Sequence, residues 1–134
     1  MLVTFRVRGK EIPNRVAGST PGAGLAISQF FAVSADGRIG PKTPVLDGDE
    51  QRAALKSQID GVHRNSGTRF ALQLGHAGRR GATRPVSDGV DRPLRWGGWP
   101  LLSASPMPYS PRTRIPREIT TAEMQVWTEA FARA

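Results

Sequence analysis

An amphipathic helix set between two short apolar runs constrains this chain more than any other feature. Leu25 to Val33 (LAISQFFAV) and Thr68 to Leu74 (TRFALQL) are dominated by aromatic and aliphatic residues, and runs of that length and content read as buried strands. Between them, Asp47 to Arg64 places Leu55, Ile59 and Val62 at i, i+4 and i+7, the spacing of one apolar helix face. Asp47 with Glu50 three residues on reads as a capping box, and Asn65-Ser66-Gly67 as a stop. Gly61 weakens the helix interior by about 1 kcal/mol without removing it. Strand, helix, strand predicts a right-handed crossover in one sheet, so the sheet is expected to be parallel and the fold class α/β.

Ligands of parallel α/β sheets collect beyond the carboxyl ends of the strands. The second run ends there in TRFALQLGHAGRRG, where apolar character gives way to Gln73, His76, Arg79 and Arg80 between Gly75 and Gly78. Gln73 is a polar interruption in a strand expected to be covered on both faces, so it is expected to need a buried partner. His76 sits in a glycine-flanked loop, where a histidine either lines a site or pins the loop by a hydrogen bond.

The remaining segments frame this unit. Leu2 to Arg8 alternates Val3, Phe5 and Val7 against Thr4, Arg6 and Arg8, the period of a half-exposed strand, with a turn at Gly9-Lys10 and a second short piece running to Ser19. Ser19 to Gly24 (STPGAG) is a loop by composition, and it lacks the Gly-Lys-Ser/Thr of a phosphate loop. Ser34 to Pro44 is a polar loop with a turn at Asp36-Gly37. Gly81 to Pro116 is proline-rich and irregular, and its Trp96 and Trp99 are expected to order it by packing. Thr120 and Glu123 form another capping box, ahead of a Met124, Trp127, Phe131 stripe.

Composition narrows the classes. At 134 residues one domain is expected, burying roughly two thirds of its unfolded surface. The absence of cysteine removes disulfide and thiolate chemistry, and with two histidines, His63 and His76, a zinc site would need carboxylates. No apolar run approaches the length of about 18 residues that a membrane helix needs, and arginines interrupt the start, so no membrane partner and a cytoplasmic location are expected. The net charge of +8 comes from 19 Lys and Arg against 11 Asp and Glu. Those cations are scattered from Arg6 to Arg133, with one cluster at Arg79, Arg80 and Arg84, which argues against a nucleic-acid groove; phosphate or carboxylate recognition by part of the set, with the rest solvated, fits the same charge equally well.

GKEIPNRV, AVSADGRIGP, ALQLGHAGRRGATRP, GGWPLLSASPMPY and PREITTAEM, in that order, resemble the front part of the old yellow enzyme family. The nearest resemblance is to the oxidoreductase module fused to aromatic acyl-CoA monooxygenases. The resemblance covers nearly the whole chain and implies a partial (β/α)8 barrel of about the first three strands. Residues 1–24 would be an N-terminal arm and first strand, 25–81 the β-α-β unit, 82–116 a Pro- and Trp-rich loop, and 117–134 the start of a helix. It implies FMN as cofactor, NADH or NADPH as reductant, and an activated alkene or related small molecule as acceptor.

Residue by residue, the resemblance gives Gln73 the flavin pyrimidine edge, Ser19 and Thr20 the first-strand contact with the flavin, and His76 and Arg79 the lining of the barrel mouth. The chain departs from the family in having about six residues where a loop and a helix normally follow the first strand. Phe30 stands where a small residue is usual, so a phenyl ring would intrude on the flavin. The fourth-strand substrate anchor and the FMN phosphate grip fall outside the resemblance, so the chain is expected to be inactive alone. Its open strands invite self-association or a complementing polypeptide. The alternative is a non-catalytic α/β piece acting as a basic binding module.

Overall fold

The computed structural model describes residues 3–7, 10–14, 24–89 and 91–134. Strand β1 (Val3–Val7) pairs antiparallel with β2 (Lys10–Asn14), and Val3 stands opposite Asn14. Residues 15–23, with them the second apolar piece around Val16 and the candidate residues Ser19 and Thr20, lie outside the described residues.

Strand β3 (Leu25–Ala32), helix α1 (Asp49–Asn65) and strand β4 (Arg69–Gly75) form the expected crossover, and β3 pairs with β4 in parallel. The register runs Ala26↔Phe70 and Ile27↔Ala71, slips, and resumes at Phe30↔Gln73. The slip falls at Ser28 and Gln29, the two polar residues of the run. A bulge leaves a ladder amide without its strand partner, and here the buried Ser28 Oγ accepts the Gln73 N–H at 3.0 Å. Ser28 is thus polar because it repairs the register break.

Apolar burial is one-sided. Phe31, Leu46 and Leu55 form the core cluster, with Ile59, Val62, Phe70, Leu72, Leu74 and Ala134 packed against it. The Leu55, Ile59, Val62 stripe faces the sheet as the spacing requires. The other sheet face is open, with Leu25 and Ile27 at 55% and 66% exposure, and this overturns the expectation of strands covered on both sides. The expected capping box of α1 is absent too. The helix starts two residues later, at Asp49, with Gly48 as its N-cap and no side-chain cap bond. Its C-terminus is closed as expected, by Asn65 Nδ2 donating to the Gly61 carbonyl at 2.7 Å and Ser66 Oγ to that of Val62 at 2.9 Å.

After β4 the chain is irregular but extensively bonded. A one-turn 3-10 helix at Gly78–Arg80 is followed by β5 (Leu102–Ser103) and β6 (Arg117–Glu118), a short parallel pair. Helix α2 (Thr121–Arg133) begins with the expected box, the Thr120 side chain accepting from Glu123 N–H at 3.3 Å while the Glu123 carboxylate accepts the Thr120 N–H at 2.9 Å. Arg117 pairs with the same carboxylate. The Met124, Trp127, Phe131 stripe is only partly used: Trp127 is half-buried, while Met124 and Phe131 are exposed.

Candidate functional site

The loops leaving β3 and β4 are zipped together at the carboxyl end of the sheet. Val33 N–H donates to the Gly75 carbonyl at 3.1 Å, Ala77 N–H to that of Gly37 at 2.8 Å, and Thr83 N–H to that of Ile39 at 2.9 Å. The Asp36-Gly37 turn is closed by Gly37 N–H on the Ser34 carbonyl, with Ser34 Oγ donating to Asp36 Oδ1 at 2.6 Å. Glycine is required at 37 because a Cβ there would stand 2.8 Å from His76 Cδ2.

His76 is accordingly a buried loop pin. Its side chain is 6% exposed and its ring stacks on Trp127 with centroids 3.7 Å apart. Its Nδ1 accepts the Gly78 N–H at 3.1 Å, which fixes the proton on Nε2 in the neutral ring. Nε2 is buried without a hydrogen-bond partner and lies 3.6 Å from Asp36 Oδ2. Burial pushes the His76 pKa down, and the nearby Asp36 carboxylate only partly opposes this. For Asp36, burial acts upward, but the Ser34 hydroxyl, His76 and the backbone outweigh it and hold the carboxyl below the usual range.

Gln73 occupies the opposite environment. Its neighbours Leu72 and Leu74 pack toward the core, so strand alternation turns Gln73 to the open face, and its side chain is exposed with no partner among the described residues. Among the described residues Gln73 has no buried partner, because the face it points to is exposed, as Leu25 and Ile27 show. Beside it, the Phe30 ring lies directly on Gly75, where a Cβ would overlap the ring edge and stand 3.0 Å from Cδ2 and Cζ.

Arg79 is exposed, whereas Arg80 pairs with Asp91 at 2.8 Å and lies 5.0 Å from the Tyr109 ring centroid. In the following loop Trp99 is covered by Arg38 at 4.5 Å, but Trp96 is 89% exposed. Hydrogen bonds such as Arg84 N–H to the Arg92 carbonyl and Leu94 N–H to that of Ala82 order that loop, not the packing of both tryptophans. The structure therefore brings Gln73, Phe30 and Gly75 together on the open face and His76, Asp36 and Trp127 together inside. Sequence reasoning missed the second group, because Trp127 is remote in sequence and Asp36 reads only as a turn residue.

Among the described residues, no group of three or more histidine, aspartate or glutamate side chains is placed to hold a metal ion, and no helix is long and apolar enough to cross a membrane.

No protein-family model matches the chain. It is 29% identical over 119 residues to an NADPH dehydrogenase of Geobacillus sp. (strain WCH70), covering 89% of this chain and 30% of that protein. It is 32% identical over 121 residues to an NADPH dehydrogenase of Listeria monocytogenes serotype 4a, covering 90% and 30%. Among solved structures, morphinone reductase in complex with tetrahydroNAD superposes with a TM-score of 0.69 at 26% identity, over 87% of this chain and 33% of that one. The chain thus spans about a third of the length of the relatives it matches.

Proposed function

We propose that this chain, which is of old yellow enzyme type by its motifs and its relatives, supplies the Gln73 edge of an FMN site in an NADH- or NADPH-dependent oxidoreductase. The observation that carries this reading is the Gln73 side chain, exposed at the carboxyl end of a parallel strand with no hydrogen-bond partner among the described residues. Its amide has both a donor and an acceptor to offer a flavin pyrimidine edge, and a strand end holds it more rigidly than a loop. FMN held there supplies two-electron transfer between the nicotinamide and an activated alkene or related acceptor.

The chain's own residues divide the remaining work. Ser28 fixes the height of Gln73 by accepting its backbone N–H, and Phe30 limits how closely a ring approaches over Gly75. His76 acts as a neutral pin that holds the site loop, while the exposed Arg79 remains available at its rim. Ser19 and Thr20 belong to the reading through the resemblance alone, as does the likeness to the module fused to aromatic acyl-CoA monooxygenases. With the reading go a partial barrel of about three strands, a cytoplasmic location, a small-molecule acceptor, and self-association or a complementing polypeptide over the open sheet face.

Hydride transfer needs a held cofactor, so the 134-residue chain alone is expected to show no NADPH-dependent flavin reduction. Grafting it in place of the matched 119 residues of the Geobacillus protein is expected to give a yellow chimera reduced by NADPH, and Gln73→Ala in that chimera to weaken FMN at least tenfold. A folded but colourless chimera, or a Gln73→Ala variant with unchanged FMN affinity, refutes the reading. The second reading, a basic binding module, draws on Arg92, Arg95 and Arg112, which are exposed and in no ion pair among the described residues. Salt-dependent retention on a polyanion column, lost on replacing those three arginines, would favour it.

A further inference from the structure

A cavity of about 280 Å³ opens under the loop between β3 and α1, and neither Gln73, His76 nor Arg79 lines it. Its walls are largely apolar, made by Phe30, Ile39, Pro44 and Pro85. The charged groups at it are all of one sign. Lys42 and Arg84 line it and no carboxylate does, and among the described residues neither cation takes part in an ion pair.

Arg84 is half-buried and held in place. Its backbone N–H donates to the Arg92 carbonyl at 2.8 Å and its Nε–H to the Pro93 carbonyl at 3.0 Å, leaving the Nη groups without a hydrogen bond among the described residues. Gln29, at the β3 bulge, also lines the cavity, and its Nε2 is buried without an acceptor. The surroundings are stiff, because Thr83 anchors Ile39 through both its N–H and its hydroxyl, and Thr43 Oγ1 accepts the Gly40 N–H. A buried donor without an acceptor is costly, and a held, unpaired guanidinium with a lysine beside apolar walls favours one ligand type.

We propose that this cavity is a binding site for a small monocarboxylate with a flat apolar body, the body packing against Phe30 and the prolines and the carboxylate meeting Arg84 and Lys42. Guanidinium recognises carboxylate through paired N–H donors, which is the role the free Nη groups of Arg84 suit. The volume lies just below that of cavities that hold drug-sized ligands, and so matches a single-ring compound. The assignment stands whether or not the chain takes up FMN, because Phe30 is the one lining residue it shares with the Gln73 face, and the groups that meet the carboxylate, Arg84 and Lys42, lie apart from that face.

The test is titration of the ¹⁵N-labelled 134-residue chain with benzoate, benzamide and acetate at pH 7.5, read by amide chemical shifts. Saturable shifts for benzoate confined to the segments around Phe30, residues 39–44 and Arg84 are expected, with benzamide and acetate each at least tenfold weaker. Lys42→Gln, an exposed loop change, is expected to weaken benzoate about threefold, and Arg84→Gln at least tenfold with dispersed spectra retained. Absence of saturable shifts, equal binding of benzamide, which removes the charge, or equal binding of acetate, which removes the ring, overturns the proposal. So does a benzoate footprint elsewhere on the chain.

Discussion

Replacing Gly75 with alanine places a methyl group in the volume of the Phe30 ring. The added carbon would overlap the ring edge and stand 3.0 Å from two further ring atoms, whereas carbon atoms in contact sit about 3.5–4.0 Å apart. The ring must retreat, and it has open solvent on one side, so the cost is expected near the lower half of the overpacking range, about 1–2 kcal/mol. Phe30→Ala alone gives up a half-buried ring, about 1–1.5 kcal/mol, roughly half the value for full burial. In the double variant the two small side chains no longer collide. The double change is therefore expected to cost about 1 kcal/mol less than the sum of the single changes, a coupling well above the scatter for independent sites. Urea denaturation followed by far-ultraviolet circular dichroism on all four proteins measures it. Additivity within about 0.3 kcal/mol, or a Gly75→Ala variant as stable as the parent, would show that Phe30 does not rest on Gly75.

Stability is expected to fall with acid because of His76. Its folded pKa lies below the ordinary value, so its contribution is complete above about pH 6.5, the unfolded value, and is lost as pH falls through the folded pKa. Protonation would also set Nδ1–H against the Gly78 N–H. Urea midpoints at pH 7.5 and 5.5 check this, and His76→Gln is expected to flatten the difference, whereas an unchanged slope would refute it. At the start of α2, Thr120→Ala is expected to cost about 1 kcal/mol by removing the cap, and a thermal midpoint unchanged from the parent would count against it.

The βαβ unit and the start of α2 are legible because their signals are local. The i, i+4, i+7 stripe, the Asn-Ser-Gly stop and the Thr120/Glu123 box each lie within one or two turns of chain, and all appear in the structure. The Asp47/Glu50 box failed for an equally local reason. Helix α1 starts only at Asp49, behind Gly48, and the Gln51 side chain folds over that glycine, its Oε1 standing 2.6 Å from where a Cβ would be. An aromatic in a loop reads as packing, whereas Trp96 stands at 89% exposure. The association of His76 with Asp36 and Trp127 needs two loop closures that no spacing reveals.

Gln73 marks the boundary between these two kinds of knowledge. Its polar character within an apolar strand is legible, and the structure gives it a place: Leu72 and Leu74 turn to the core and Gln73 turns away. What faces Gln73 follows in the sequence only from the apolar content of its run, on the premise that a parallel strand is covered on both sides. In this chain the premise holds for one face, because α1 covers only that one, and the neighbours Leu25 and Ile27 on the other are exposed for the same reason. An apolar strand face open to solvent costs free energy in proportion to its area, so the sequence of β3 and β4 is that of strands meant for cover. The exposed amide of Gln73 and the bare Leu25 and Ile27 are therefore one observation. Whatever covers that face also determines what Gln73 bonds to, and a variant that places a charge there, such as Ile27→Lys, is expected to leave the chain alone near its parent stability while blocking the chimera's uptake of FMN.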